Sequence, residues 1–181
     1  MTEWADAERL GGDPDGFERL WTPHRMAYVR RATDRPDIND PDACALCKTA
    51  DDNDREHLIV HRGEQCYVVL NLYPYNPGHL MVCPNRHVGW YTDATDAERD
   101  EMGVLTQTGM RVLQQLTGTQ GFNIGMNQGR TGGAGIHEHL HQHIVPRWVG
   151  DSNFLPIIGQ TKALPELLDE TWRRVSEAWP A

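Results

Sequence analysis

The sequence lacks the features of a membrane or exported protein. None of its apolar runs approaches the roughly 18 residues that a membrane-spanning helix needs. Residues 1–6 contain no basic stretch ahead of an apolar one, so no signal peptide is expected. The chain has only four cysteines, which without an export signal are expected to be reduced thiols rather than a disulfide framework. We therefore predict a cytoplasmic protein with no membrane partner.

Positive charge is also scarce. There are 17 Lys and Arg against 26 Asp and Glu, which gives a net charge of -9. This excess of negative charge argues against a nucleic acid as the main partner, whereas a small phosphorylated molecule could still bind in a local positive pocket. No internal repeat is present. The 181 residues suit one domain, and we predict a polar N-terminal arm over residues 1–42 and a single domain over 43–181.

The order of the predicted strands and helices indicates an α+β fold with a mainly antiparallel sheet. Strands and helices do not alternate regularly, as they would around a parallel sheet. Apolar, β-branched and aromatic residues predict strands at 66–72, 79–84 and 121–127. Spaced apolar positions predict a long helix over 96–116, with Thr95 or Asp96 as its N-cap, and a C-terminal helix over 164–178.

Four histidines stand at every second position: His137, His139, His141 and His143. This alternation predicts an extended strand through the run, on which the four side chains would all line one face. Imidazole titrates near neutrality, binds metals and can act as a nucleophile. An accidental surface tract is the alternative, but the run is internal and flanked by apolar residues, which favours a site.

A glycine-rich loop at residues 129–135 leads into the histidine run. Taken alone, this loop would be a flexible hairpin connection. Beside the histidines it becomes a candidate phosphate site, because glycines let backbone N–H groups approach anionic oxygens closely. Arg130 could add positive charge there.

Cys44 and Cys47 have the C-x-x-C spacing of half a tetrahedral zinc site. Such a site needs two further ligands, and a C-x-x-C pair without a metal is the alternative. The candidate partners are His57, His61, His79, His87 and one histidine of the run.

Three segments together resemble a known family. Residues 139–147 match the motif His-x-His-x-His followed by two apolar residues, and residues 71–80 and 122–127 match the upstream nucleotide-binding segments. The chain is therefore similar to the histidine-triad superfamily of nucleotidyl hydrolases and transferases. The likeness is strongest to its diadenosine tetraphosphate phosphorylases of actinobacterial type, and it extends over roughly residues 40–175.

This resemblance implies an enzyme and assigns roles to its residues. His141 would attack the phosphorus of an AMP unit and form a nucleotidyl-histidine, and His143 would stabilise the phosphate charge. Inorganic phosphate would then release the nucleotide, so that diadenosine tetraphosphate yields ADP and ATP; a hydrolase would use water instead. The residues implied in substrate binding are Asn71 at the ribose, Asn127, Ala134, Gly135 and His143 at the phosphates, and Phe154.

The resemblance also implies a structural zinc ion held by Cys44, Cys47, His87 and His139. It implies a homodimer or homotetramer, for which the aromatic residues of the arm are candidate contacts. His137 has no family role, and Gly135 replaces the Gln or Ser of many relatives. This replacement leaves open both a phosphorylase and a hydrolase of dinucleoside polyphosphates or nucleoside phosphoramidates. An inactive nucleotide-binding module is a further alternative, although the intact triad favours an enzyme.

Overall fold

The computed structural model describes residues 41–47, 53–151 and 166–180. Apart from Pro41 and Asp42, the predicted N-terminal arm lies outside these ranges. The described residues form a five-stranded antiparallel sheet of order β1-β2-β3-β5-β4, which confirms the predicted α+β class. The strands are β1 Ile59–Arg62, β2 Cys66–Leu70, β3 Leu80–Pro84, β4 Gly121–Gly125 and β5 Gln142–Arg147. Strand β1 was not among the predicted strands.

The two predicted helices are present as α1 (Asp96–Thr117) and α2 (Leu168–Ala178). Thr95 is the N-cap of α1: its side chain accepts a hydrogen bond from the Glu98 N–H at 3.2 Å, and the Glu98 carboxylate accepts one from the Thr95 N–H at 2.7 Å. Helix α2 begins later than predicted, because Leu167 is extended. Neither helix, nor any other in the described ranges, is long and apolar enough to cross a membrane.

Both faces of the central strands are buried. Val68 and Leu70 of β2 lie on one face with Leu80 and Val82 of β3, where they pack against α1 and α2. Gly109 of α1 permits this close approach, because a Cβ there would lie 3.3 Å from the Leu80 side chain. The opposite face carries Tyr67, Val69 and Cys83, which pack against Cys44 and Leu46. A strand covered on both sides is apolar throughout rather than alternating, as the sequence of β2 is.

The prediction of one continuous strand through the four histidines is wrong. Strand β5 begins at Gln142, so that only His143 lies within it. The three preceding histidines lie in an irregular segment that hydrogen-bonds the last residue of β3 and the chain that follows it. There the Leu140 N–H donates to the Val88 carbonyl at 2.6 Å, and His139 Nε2 hydrogen-bonds the Pro84 carbonyl at 2.9 Å. The segment makes these hydrogen bonds instead of pairing with a neighbouring strand. Its histidines therefore do not share one face and contact different groups.

A tight turn sets the start of β3. Gly78 has a φ of +75°, a conformation that a side chain would strain, and a Cβ there would lie 2.9 Å from Leu113 Cδ2. The turn directs His79 into the interior, where it is fully buried.

Candidate active site and metal site

Two cysteines and two histidines meet on the sheet face opposite α1. The ligand atoms of Cys44, Cys47, His87 and His139 all lie within 4.8 Å of one another. Cys47 Sγ is 3.1 Å from His87 Nδ1 and 3.3 Å from His139 Nδ1. A tetrahedral zinc ion with its usual bond lengths would hold sulfur and nitrogen ligands about 3.5 Å apart. Of the candidate partners outside the histidine run, the structure brings His87 to this cluster and not His57, His61 or His79.

The hydrogen bond of His139 prepares it as a metal ligand. Since a carbonyl oxygen can only accept, the contact with the Pro84 carbonyl puts the imidazole proton on Nε2. The lone pair of Nδ1 then faces the two thiols. Burial, and next the neighbouring Cys44, raise the pKa of the Cys47 thiol to about 11. A bound cation would favour the thiolate instead, and the donor set therefore fits zinc.

His141 has the opposite tautomer. Its side chain is buried, with only 6% exposed, and its Nδ1 lies 2.8 Å from the carbonyl oxygen of His139. The proton must therefore be on Nδ1, which leaves the lone pair on Nε2. Burial lowers the pKa of His141, so the imidazole is neutral near pH 7. A neutral imidazole with an available nitrogen is what nucleophilic attack requires.

A chain of hydrogen bonds also fixes the tautomer of His143. The Tyr75 N–H donates to His79 Nδ1 at 3.1 Å, so the proton of His79 is on Nε2. That N–H donates to His143 Nδ1 at 3.0 Å, which leaves His143 with its own proton on Nε2. Burial, and next the neighbouring His141, lower the pKa of His143 to about 4. The rings of His141 and His143 lie 4.9 Å apart at 87°.

His79 is the residue that sequence reasoning missed at this point. From the sequence His79 is only one of several candidate zinc ligands, whereas in the structure it is the hydrogen-bond partner of His143. Its place at the end of the matched segment 71–80 was the available signal. The contact joins residues 64 positions apart, and the sequence alone does not reveal it.

A cavity of about 400 Å³ opens beside His143, along β4 and β5. Asn127 also lines it, so the structure brings these two predicted substrate residues together. Arg147 is held there by Asp151 at 2.6 Å and by Asn123 Oδ1 at 2.6 Å. The hydrogen bond from Arg147 keeps the pKa of the Asp151 carboxyl far below its usual range, so this pair remains charged.

Asn71, Ala134 and Gly135 are not among the residues that line this cavity. Asn71 follows β2, with Oδ1 accepting from the Tyr73 N–H at 3.0 Å and Nδ2 lying 3.3 Å from His79 Nδ1. Phe154 lies outside the described residues.

His137 belongs to neither site. Arg130 Nε donates to His137 Nε2 at 3.0 Å, and the Glu138 carboxylate lies 2.5 Å from the same nitrogen. This contact ties the glycine-rich loop to the histidine segment.

The chain is similar to proteins of one known family over the region that contains these histidines. The HIT domain family model matches residues 53–149. Proteins named AP-4-A phosphorylase in two Mycobacterium tuberculosis strains are 45% identical over 174 residues, which cover 95% of this chain and 89% of theirs. A bis(5'-adenosyl)-triphosphatase of Dictyostelium discoideum is 31% identical over 93 residues, 51% of this chain and 62% of its own. The crystal structure of a Zn-bound histidine triad family protein from Mycobacterium smegmatis has a TM-score of 0.64 and 24% identity, and covers 77% of this chain and 95% of that one.

Proposed function

Because this chain belongs to the HIT domain family, we propose that it is a nucleotidyltransferase that cleaves diadenosine tetraphosphate by phosphorolysis. In the first step His141 Nε2 attacks the phosphorus next to one adenosine. The bond to the bridging oxygen breaks, and ATP leaves with that oxygen. In the second step an oxygen of inorganic phosphate attacks the same phosphorus, the bond to nitrogen breaks, and ADP leaves. The similarity to the M. tuberculosis phosphorylases over almost the whole chain supports this choice of reaction.

The tautomer of His141 is the observation that carries the proposal. With Nδ1–H donating to the His139 carbonyl at 2.8 Å, the lone pair of Nε2 needs no deprotonation before attack. The hydrogen bond would also stabilise the positive charge that the ring acquires when the bond to phosphorus forms. Splitting one displacement into two steps is the general benefit of such an intermediate.

We assign His143 to charge stabilisation. Its Nε2–H is a fixed donor, because its Nδ1 already accepts from His79. A donor that is oriented before the substrate binds can stabilise phosphate charge in the transition state without reorganising. Asn127 lines the same cavity and would bind a phosphate oxygen, while Asn71 would bind the ribose of the transferred nucleotide.

We further propose that Cys44, Cys47, His87 and His139 hold a structural zinc ion. Four protein ligands leave no position for water, so the metal would act on stability rather than on the reaction. Its benefit to the active site would be positional. The carbonyl of His139 fixes His141, so holding His139 in place also holds the nucleophile.

We also propose that the protein is a homodimer or homotetramer. Strand β4 is at the edge of the sheet, and Ile124 on it is 46% exposed. An exposed edge with apolar side chains favours pairing with another chain. Light scattering of the purified protein should give at least twice the mass of one chain; a monomeric mass would reject this part of the proposal.

The phosphorolysis proposal is tested by the product pattern. Diadenosine tetraphosphate is incubated with and without inorganic phosphate, and the nucleotides are separated by chromatography. We expect ADP and ATP in equal amounts, with ADP appearing only when phosphate is present. AMP and ATP formed at the same rate without phosphate would show a hydrolase instead, an outcome that the missing side chain at Gly135 makes worth testing.

A further inference from the structure

The cavity beside His143 has an aromatic wall that the reaction described above does not use. Tyr75 forms this wall, with its ring 5.8 Å from that of His143. Across the cavity, Gly125 of β4 pairs with His143 and has open space where a side chain would lie. Tyr75 is 54% exposed, so its ring is accessible to a ligand.

This lining suits a nucleoside. A purine base is flat and apolar on its faces, and it stacks on aromatic side chains with little dependence on its identity. The edges of a base and a ribose need hydrogen-bond partners, and Asn123 offers its amide N–H groups in the same cavity, since only its Oδ1 is held by Arg147. The volume of about 400 Å³ lies in the lower part of the range for small-molecule sites.

The position of the cavity indicates which nucleoside it would hold. In the sheet order, β2 lies on one side of β3, and β5 and β4 lie on the other. Asn71, which we assign to the transferred nucleotide, follows β2, whereas the cavity runs along β5 and β4. A substrate whose scissile phosphate is at His143 must extend in both directions. If one end reaches Asn71, the other end enters the cavity.

We propose that this cavity is the subsite for the nucleoside of the leaving nucleotide, with Tyr75 stacking on its base. This proposal rests on the proposed function. The side chain of Tyr75 binds that base, while its backbone N–H holds His79. Substituting the side chain therefore removes the stacking surface and leaves the hydrogen bond to His79 in place.

The test compares two substrates that differ only in the second nucleoside. Diadenosine tetraphosphate carries it, and adenosine 5'-tetraphosphate does not. ADP formation at saturating phosphate is measured for the wild-type protein, for Tyr75→Leu and for the control Tyr73→Leu. Tyr73 is a matched control, because it is 80% exposed in the same loop and does not line the cavity.

We expect Tyr75→Leu to lower kcat/KM for diadenosine tetraphosphate about tenfold, mainly through KM, and to change the value for adenosine 5'-tetraphosphate less than twofold. Tyr73→Leu should change neither by more than about twofold, and Tyr75→Phe should retain most of the activity. An equal loss for both substrates, or no loss for diadenosine tetraphosphate, would overturn the proposal.

A binding measurement separates this proposal from the proposed function. Calorimetry gives the dissociation constant of diadenosine tetraphosphate for His141→Ala with and without Tyr75→Leu. This measurement tests the subsite even if either substrate is not turned over. About tenfold weaker binding supports the subsite even if the wild-type protein forms no ADP, in which case the proposed function fails alone. Unchanged binding overturns the subsite whatever the activity.

Discussion

His139 and His141 are two residues apart and belong to two different regions of the molecule. His139 hydrogen-bonds the Pro84 carbonyl through Nε2 and turns Nδ1 towards two thiols. His141 hydrogen-bonds the His139 carbonyl through Nδ1 and keeps Nε2 available. Burial lowers the pKa of both imidazoles, so their different chemistry comes from the partner of one nitrogen rather than from the residue type. In the proposed function, this histidine run supplies one metal ligand and one nucleophile.

The two regions also differ in how enclosed they are. The cluster of two cysteines and two histidines lies in a small core in which Cys44 and His139 are buried, which suits the proposed structural metal. His143 instead lines an open cavity into which a substrate can enter. Substitutions in the Cys/His cluster should therefore lower mainly stability, and substitutions of His141 or His143 should lower mainly turnover.

The largest effect is expected for the nucleophile. His141→Ala should lower kcat for diadenosine tetraphosphate by at least about a thousandfold, because no other group takes the place of Nε2. The melting temperature and circular dichroism should remain close to wild type. His61→Ala serves as the control, since His61 lies on β1 and stacks on Trp179, and its activity should be within about threefold of wild type. Full activity in His141→Ala would refute the mechanism.

Substitution of a residue in the Cys/His cluster should lower the free energy of unfolding. Cys47→Ser should remove most of the zinc and lower the free energy of unfolding by at least about 3 kcal/mol, because metal binding is coupled to folding. Elemental analysis and urea denaturation measure the two quantities. Cys66→Ala is the matched control: Cys66 is fully buried but outside the cluster, so the zinc should remain. A wild-type protein with far less than one zinc per chain would contradict the metal assignment.

His79 should affect turnover without contacting the substrate. His79→Leu removes the donor to His143 Nδ1, and we expect kcat to fall roughly tenfold to a hundredfold, the usual loss when a hydrogen-bond partner that orients a functional histidine is removed. His79→Gln, which can still donate, should recover part of the loss. The ¹⁵N shifts of the His143 ring should show Nε2–H in the wild type and a mixture of tautomers in His79→Leu. Unchanged shifts would mean that His79 does not set this tautomer.

The smallest effect is expected in the pH dependence of stability. The pKa of His143 is lowered from its ordinary value of 6.5 to about 4, so between these values the unfolded chain binds the proton and the folded protein does not. The contribution of His143 to stability is therefore complete above pH 6.5 and is lost as the pH falls towards 4. His79, His141 and Tyr75 face this ring. Urea denaturation should show a shallower decline over this range for His143→Gln; parallel curves would contradict the assignment.

Local sequence patterns are sufficient to predict many of the helices and strands. The capping sequence at Thr95 and the apolar spacing after it predicted α1 within one residue at its end, and the apolar runs predicted β2 and β3. The period of two at the histidines was misleading. It predicted a strand where the segment instead pairs with the chain after β3. Strand β1 was missed because its four residues, Ile59–Arg62, are too few to show a pattern.

Family motifs predicted those residues of the candidate site that lie within them. Contacts between residues that are distant in the sequence could not be predicted. Spacing alone left several zinc partners open, and the resemblance selected the four residues that the structure brings together. The contact of His79 with His143 joins separate strands. The aromatic wall at Tyr75 depends on the path of a loop. No local pattern encodes either contact, so both had to be read from the structure.

The central claim is that His141 carries a covalent nucleotide during turnover. The most direct measurement is mass spectrometry of protein quenched in acid-free denaturant after mixing with diadenosine tetraphosphate in the absence of inorganic phosphate. We expect one adenylyl group per active site, located on the peptide that contains His141, and its disappearance with release of ADP when phosphate is added. An unmodified protein that still turns over the substrate, or an adenylyl group on another residue, would contradict the account.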